Sequence, residues 1–243
     1  MTEPIVTILD DAAAVAAAVA DHIARAARQK PTLTLGLATG NTFRDVYAEL
    51  IDRFRAGEFS LSQARAFNLD EYVGLPHDHP GTFATYMQHH LFDHVDFAPG
   101  NARLPDVSAG DIEAACAAYE AAIKAAGGID LQLLGIGRNG HIGFNEPGSP
   151  FDSRTREVPL TQSTRTANAV DFPPGEMPPP MSVTMGIGTI LEAREIVLAA
   201  TGAHKAEALH QAFHAPESVD CPASALHRHG NVHIYRDRAS LGQ

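Results

Sequence analysis

Ile129-Asp130-Leu131-Gln132-Leu133-Leu134-Gly135-Ile136-Gly137-Arg138-Asn139-Gly140-His141-Ile142-Gly143-Phe144-Asn145-Glu146-Pro147 changes character halfway along. Residues 129–136 are apolar almost throughout, the pattern of a strand buried on both faces, and such strands belong to parallel sheets covered on either side. Four glycines follow within residues 135–143. Glycine lets a backbone turn with positive φ or come close to a ligand. The same loop carries an imidazole, His141, and a carboxylate, Glu146, five residues on. When the loop turns the two can meet, and the carboxylate then orients the ring. A plain surface turn has no need of this combination.

Outward from this stretch, short apolar runs alternate with helical patterns. Residues 5–9, 33–37, 64–69, 195–200 and 231–235 read as further strands. Helices are expected from a cap at Asp10 or Asp11 to about residue 28, and from the loop 38–42 to about residue 55. Others are expected over 81–92, 109–126, 182–193 and 203–214, with a short one over 222–229. Strand–helix alternation predicts an α/β fold: a mostly parallel central sheet with helices on both faces. The proline-rich piece 173–180 reads as a loop, because the alternation continues beyond it, so residues 1–243 are expected to form a single domain. In open parallel sheets ligands bind beyond the carboxyl ends of the strands. Residues 38–42, 68–74 and 135–147 all fall there.

Composition limits the partners. The chain has 243 residues, 44% hydrophobic and 19% charged, with a formal net charge of −11. A negative surface repels nucleic acid and anionic membranes, so neither is an expected partner, and a phosphate site has to be built locally. Two cysteines, Cys116 and Cys221, fit a reducing compartment as free thiols. No basic leader segment and no membrane-length apolar run is visible, so the expected location is the cytoplasm.

The remaining loops carry chemistry of their own. Thr39-Gly40-Asn41-Thr42 follows a strand and opens a helix, where backbone N–H groups and hydroxyls can hold a phosphate; the alternative is a simple helix cap. Asn68-Leu69-Asp70-Glu71-Tyr72 ends a strand with two carboxylates. Asp70 there is suited to removing a proton from a carbon beside a carbonyl if water is restricted; the alternative is an N-cap with a solvated neighbour. His77-Asp78-His79, His89-His90 and His227-Arg228-His229 have spacings seen among metal ligands. With 13 histidines in the chain such pairs arise by chance, no third ligand is specified, and no metal is expected.

Together these segments resemble the glucosamine-6-phosphate deaminase family over nearly the whole chain. The specific matches are Phe67-Asn68-Leu69-Asp70-Glu71-Tyr72-Val73-Gly74-Leu75, Phe92-Asp93-His94-Val95-Asp96 and Gly140-His141-Ile142-Gly143-Phe144-Asn145-Glu146-Pro147. Ser153-Arg154-Thr155-Arg156 and Lys205 also fall at matching places. The related 6-phosphogluconolactonases share the fold and a glycine-rich loop but lack the Asn-Leu-Asp-Glu-Tyr and Phe-Asn-Glu-Pro pieces. The resemblance implies a modified Rossmann-like fold and, without metal or organic cofactor, the isomerisation and deamination of a 2-amino-2-deoxy-hexose 6-phosphate. It implies that His141 moves the proton that opens the sugar ring and that Glu146 orients His141. Asp70 would carry a proton from C2 to C1. Thr39, Gly40, Asn41 and Thr42 would hold the phosphate, with charge from Lys205.

The chain departs from the family pattern in places. Asn139 stands where many members have aspartate; an amide keeps a hydrogen bond without adding charge. Val170 stands where an arginine usually contacts the phosphate, and Arg44, in the first turn after the phosphate loop, is the expected compensation. Asn41 replaces a glycine or serine. Alternatives within the same fold are a galactosamine-6-phosphate deaminase, an enzyme for a sugar with another C6 group, or a lactonase. A non-catalytic sugar-phosphate sensor is a further alternative, which retention of Asp70, His141 and Glu146 disfavours. Val158 occupies a basic position of the family's activator site, so no such allostery is expected; a homo-oligomer is compatible with the sequence.

Overall fold

The computed structural model describes residues 3–242. The chain opens with β1 (Ile5–Leu9), α1 (Ala12–Gln29), β2 (Thr34–Leu37), α2 (Asn41–Arg55), β3 (Arg65–Asn68), β4 (Asp70–Tyr72) and α3 (Phe83–His90). It continues through β5 (Ala102–Arg103), α4 (Ile112–Ala125), β6 (Leu131–Leu134), β7 (Arg156–Pro159), α5 (Gln162–Asn168) and β8 (Met181–Thr184). The last elements are α6 (Ile187–Leu191), β9 (Glu195–Ala200), α7 (Ala206–His214) and β10 (Val232–Asp237). Short 3₁₀ turns at Ala169–Asp171, Ala203–Lys205 and Pro222–Arg228 link some of them.

Local chemistry accounts for the helices. Asp11 caps α1 by accepting a hydrogen bond from the Ala14 N–H at 2.8 Å. Val15, Val19, Ile23 and Ala27 then recur every four residues and are buried as one face. Each such valine or isoleucine stabilises the fold by roughly 1.5–3 kcal/mol. The face packs on β9, β10 and α2.

Seven strands form one parallel sheet in the order β1-β10-β9-β6-β2-β3-β5. Every residue of β2 and β6 is buried, so both faces of the sheet centre are covered. After β2 the sheet grows towards β3; after β6 it grows the opposite way, towards β9. The order therefore reverses between β2 and β6, and a crevice opens at the carboxyl ends of those two strands. The loops that leave these ends are 38–40 and 135–147.

A second sheet of three antiparallel strands, β4-β8-β7, lies beside the first. It corrects one sequence expectation. Residues 182–193 do not form a single helix: Met181–Thr184 is a strand and only Ile187–Leu191 is helical. Val183 and Thr184 are β-branched and favour a strand, while Gly186 separates the two elements. The proline-rich loop is tied down at two points, Glu176 and Pro178. Arg165 Nε donates to the Pro178 carbonyl at 2.9 Å, and His79 bonds Glu176 at 2.9 Å.

Candidate active site

A cleft of about 510 Å³ lies at the reversal point. Thr39, Gly40, Asn41, Thr42 and Arg44 reach it from the β2–α2 connection, Asp70 from β4, His141 from the β6 loop and Lys205 from the turn before α7. Asn139 and Glu146 do not border it. They stand behind His141.

That rear layer is a relay. Asn139 Nδ2 donates to Glu146 Oε2 at 2.6 Å, and Asn139 Oδ1 lies 2.7 Å from His141 Nδ1. A carboxylate only accepts, so the amide must turn its NH₂ group to Glu146 and its oxygen to the ring. His141 Nδ1 then carries a hydrogen and donates it to Asn139. In the neutral ring Nε2 is left with the lone pair. His141 and Glu146 approach to only 3.7 Å directly, too far for a hydrogen bond. The direct pairing expected from the sequence is thus replaced by one that runs through Asn139.

Glu146 is held from its other side by hydroxyls of the α5 start. Thr164 Oγ1 donates to Oε1, and Thr161 Oγ1 donates to the same oxygen at 3.3 Å. Burial alone would raise the Glu146 pKa. Hydrogen bonds from Thr164 and Asn139, with the nearby His141 imidazole, outweigh it and bring the carboxyl down to about 2. Glu146 therefore stays ionised and anchors the relay. Neither threonine had a signal in the sequence beyond its helix-capping pattern; both come close only because β7 brings α5 over the loop.

Two glycines make the loop possible. A Cβ on Gly137 would lie 2.2 Å from the His141 ring, so the ring packs where a side chain would stand. Gly143 has φ +55°, and a Cβ there would meet Thr184 Oγ1 at 2.9 Å and Asp70 Oδ2 at 3.4 Å. Gly143 is where the loop crosses the start of β4, and it brings His141 and Asp70 into one cleft.

Asp70 is 6% exposed, and no donor among the described residues bonds its carboxylate. Burial first, then the charge of Glu71, push it up to about 8. Glu71 is not a solvated neighbour. It is buried and accepts the backbone N–H groups of Tyr72, Phe83 and Ala84 at 2.8, 3.0 and 2.7 Å, two of them from the first turn of α3. It fixes α3 to β4, and Asp70 is left without comparable partners.

At the other end of the cleft α2 starts at Gly40 with no side-chain cap, which leaves its first N–H groups without a side-chain acceptor, as at helix starts that receive anions. Lys205 Nζ donates to the Ile136 carbonyl at 2.6 Å, which aims the ammonium at this end; burial, then Arg138, lowers its pKa. Arg44 borders the cleft, pairs with Asp171 and lies 5.9 Å over the Tyr86 ring. Val170, beside Asp171, is 76% exposed. The histidine pairs singled out in the sequence do not assemble into a metal-binding group. His79 bonds Glu176, and His229 Nε2 donates to the Ala193 carbonyl at 2.7 Å.

Fold and cleft together define an open α/β protein in which an uncapped helix start faces an imidazole and a buried carboxylate across one cleft. The family model described as glucosamine-6-phosphate isomerases/6-phosphogluconolactonase matches residues 10–234, and the chain belongs to that family. A glucosamine-6-phosphate deaminase of Cellvibrio japonicus is 49% identical over 98% of this chain and 90% of its own. That of Rhodopirellula baltica is 49% identical over 97% and 94%. Among solved structures, a monomeric glucosamine-6-phosphate deaminase superposes with a TM-score of 0.95 at 41% identity, covering 98% of both chains. A 6-phosphogluconolactonase of Thermotoga maritima shares the fold, with a TM-score of 0.77 at 20% identity over 97% of this chain and all of its own.

Proposed function

We propose that the chain isomerises and deaminates glucosamine 6-phosphate, giving fructose 6-phosphate and ammonia. The observation that carries this reading is the shared cleft. Asp70, with a raised pKa, and His141, backed by Asn139 and Glu146, face a helix-start anion site in a chain 49% identical to deaminases.

In this reading the 6-phosphate sits on the N–H groups and hydroxyls of residues 39–42, with Lys205 supplying charge. His141 Nε2 takes the proton that opens the ring, and the imidazolium is stabilised through Asn139 by the ionised Glu146. Asp70 then takes the C2 proton. Its raised pKa makes it a strong base once ionised, and the substrate's C2 ammonium group supplies the counter-charge that ionises it. Asp70 returns the proton at C1 through an enol-type intermediate, and ammonia leaves from C2 as water adds. The buried thiols Cys116 and Cys221 suit a reducing cytoplasm. Neither metal nor organic cofactor is required.

The test is ammonia release from amino sugars with and without 6-phosphate, in both C4 configurations. Release from glucosamine 6-phosphate is expected to exceed that from the unphosphorylated sugar and from the C4 epimer. No release from any of them would end the deaminase reading, and preference for the epimer would change the substrate.

A further inference from the structure

At the amino ends of the sheet strands, away from the cleft, three side chains converge that have no part in the chemistry above. His22 comes from α1, Glu195 opens β9, and His233 lies in β10. His22 Nε2 is 2.9 Å and His233 Nε2 3.1 Å from the same oxygen, Glu195 Oε1. One ligand atom from each residue can be chosen so that all three lie within 4.8 Å of one another. Among the described residues this is the one group of three with metal-ligating atoms so placed.

We propose that His22, Glu195 and His233 form a binding site for a borderline divalent metal ion of the zinc class. Ligand bonds of about 2.0–2.2 Å at tetrahedral angles put neighbouring donor atoms about 3.3 Å apart. Both histidine-to-carboxylate spacings are already within a few tenths of an ångström of that. Two imidazole nitrogens and one carboxylate favour zinc, cobalt or nickel over calcium or magnesium, which take oxygen ligands. The outer layer fits as well. Tyr235 OH lies 2.8 Å from His22 Nδ1 and fixes that ring while its Nε2 points at Glu195. Without an ion, His22 Nε2 donates to Glu195; when an ion binds, Nδ1–H can donate to the phenol oxygen instead, and that tautomer leaves Nε2 its lone pair for the metal. The His22 and His233 rings meet edge to face at 5.1 Å, converging on the carboxylate.

All three side chains are partly buried, at 12%, 25% and 21% exposure, yet open enough for an ion to enter. Arg25, three residues after His22 on α1, is paired with Asp21 at 3.1 Å. Three protein ligands leave a position for water. The site ties α1 to β9 and β10, so the ion acts as a staple of the fold. Glu195 and Ala200 end the same strand, about 16 Å apart at the usual rise, so the staple is remote from the cleft.

Calorimetry with zinc chloride and the visible spectrum after adding cobalt chloride test this on the full chain. One equivalent of zinc is expected to bind. At a hundredfold excess over Kd, the Tm is expected to rise by about 5–10 °C. His22→Gln and His233→Gln are each expected to weaken binding at least tenfold and to remove the cobalt bands, with ammonia release unchanged. His210→Gln, on α7 where the His210 and His214 rings lie 5.4 Å apart, is expected to bind as the parent does. If His233→Gln binds zinc as tightly as the parent, or the parent binds no stoichiometric zinc, the cluster is only a hydrogen-bond network and the proposal fails. His233 is more exposed than His22, so it decides the matter should His22→Gln not fold.

Discussion

Asp70 illustrates how a side chain of ordinary chemistry acquires a special one. It sits one residue from Glu71, but Glu71 takes three backbone donors and Asp70 takes none. With burial and a like charge beside it, its pKa rises to about 8. Below that pH the free protein holds Asp70 mainly as the neutral acid, so kcat/KM is expected to fall about tenfold per pH unit below the midpoint of its acid limb. That midpoint should lie near 8 rather than near 4. Asp70→Asn should lower kcat by about 10²–10⁴-fold while substrate still binds. A pH–rate profile and steady-state kinetics check both; full turnover in Asp70→Asn would remove Asp70 as the base. Asn139 is a positioning residue. Asn139→Ala leaves His141 Nδ1 without an acceptor, and Glu146 is too distant to replace it. The expected result is a kcat about 10–100-fold lower with KM nearly unchanged. An unchanged kcat would show that the relay is idle.

At the scale of elements, the cleft is assembled from segments that lie far apart in the chain. The α5 start grips Glu146 through two threonines, and the 3₁₀ turn after α5 brings Asp171 onto Arg44. Arg44 was the sequence's candidate to replace a missing phosphate contact, and it does border the cleft, but its charge is engaged by Asp171. A bound phosphate has to compete with that carboxylate. Asp171→Asn is therefore expected to lower KM for the phosphorylated sugar, and Arg44→Ala to raise it about tenfold. The unphosphorylated sugar should respond to neither change. Equal KM values in parent and Arg44→Ala would exclude Arg44 from phosphate binding.

For the whole molecule, the same Asp70 links stability to pH. Its folded-state pKa of about 8 lies above its ordinary value of 3.8, so the native state favours the protonated form. Below about pH 4 it is protonated folded or unfolded and has no differential effect. As pH rises from 4 to 8 the unfolded chain ionises first and stability falls, reaching its full loss above 8. Asp70→Asn should be more stable than the parent at pH 8.5 by on the order of a few kcal/mol, less any water that enters the cleft, and the gap should close by pH 4. Urea unfolding at the two pH values measures this. A gap independent of pH would mean that Asp70 is not held in a raised state.

The sequence by itself determined the parallel sheet, most of the helices and the three loops at its carboxyl ends. Buried strands and amphipathic helices write their periods over consecutive residues, and glycines, capping residues and the His141–Glu146 pair sit together in one loop. The β4-β8-β7 sheet was not legible, because runs of three or four residues are too short to display a period of two, and Ser182–Thr184 passed for the start of a helix. Only the tertiary structure decided that Asn139 stands between His141 and Glu146, that Thr161 and Thr164 hold Glu146, and that Asp171 occupies Arg44. It also decided that His22, Glu195 and His233, spread over more than two hundred residues, meet around one oxygen. Hydrogen-bond geometry, desolvation and charge pairing depend on distance in space, and the order of residues carries that distance only once the sheet has set which strands are neighbours.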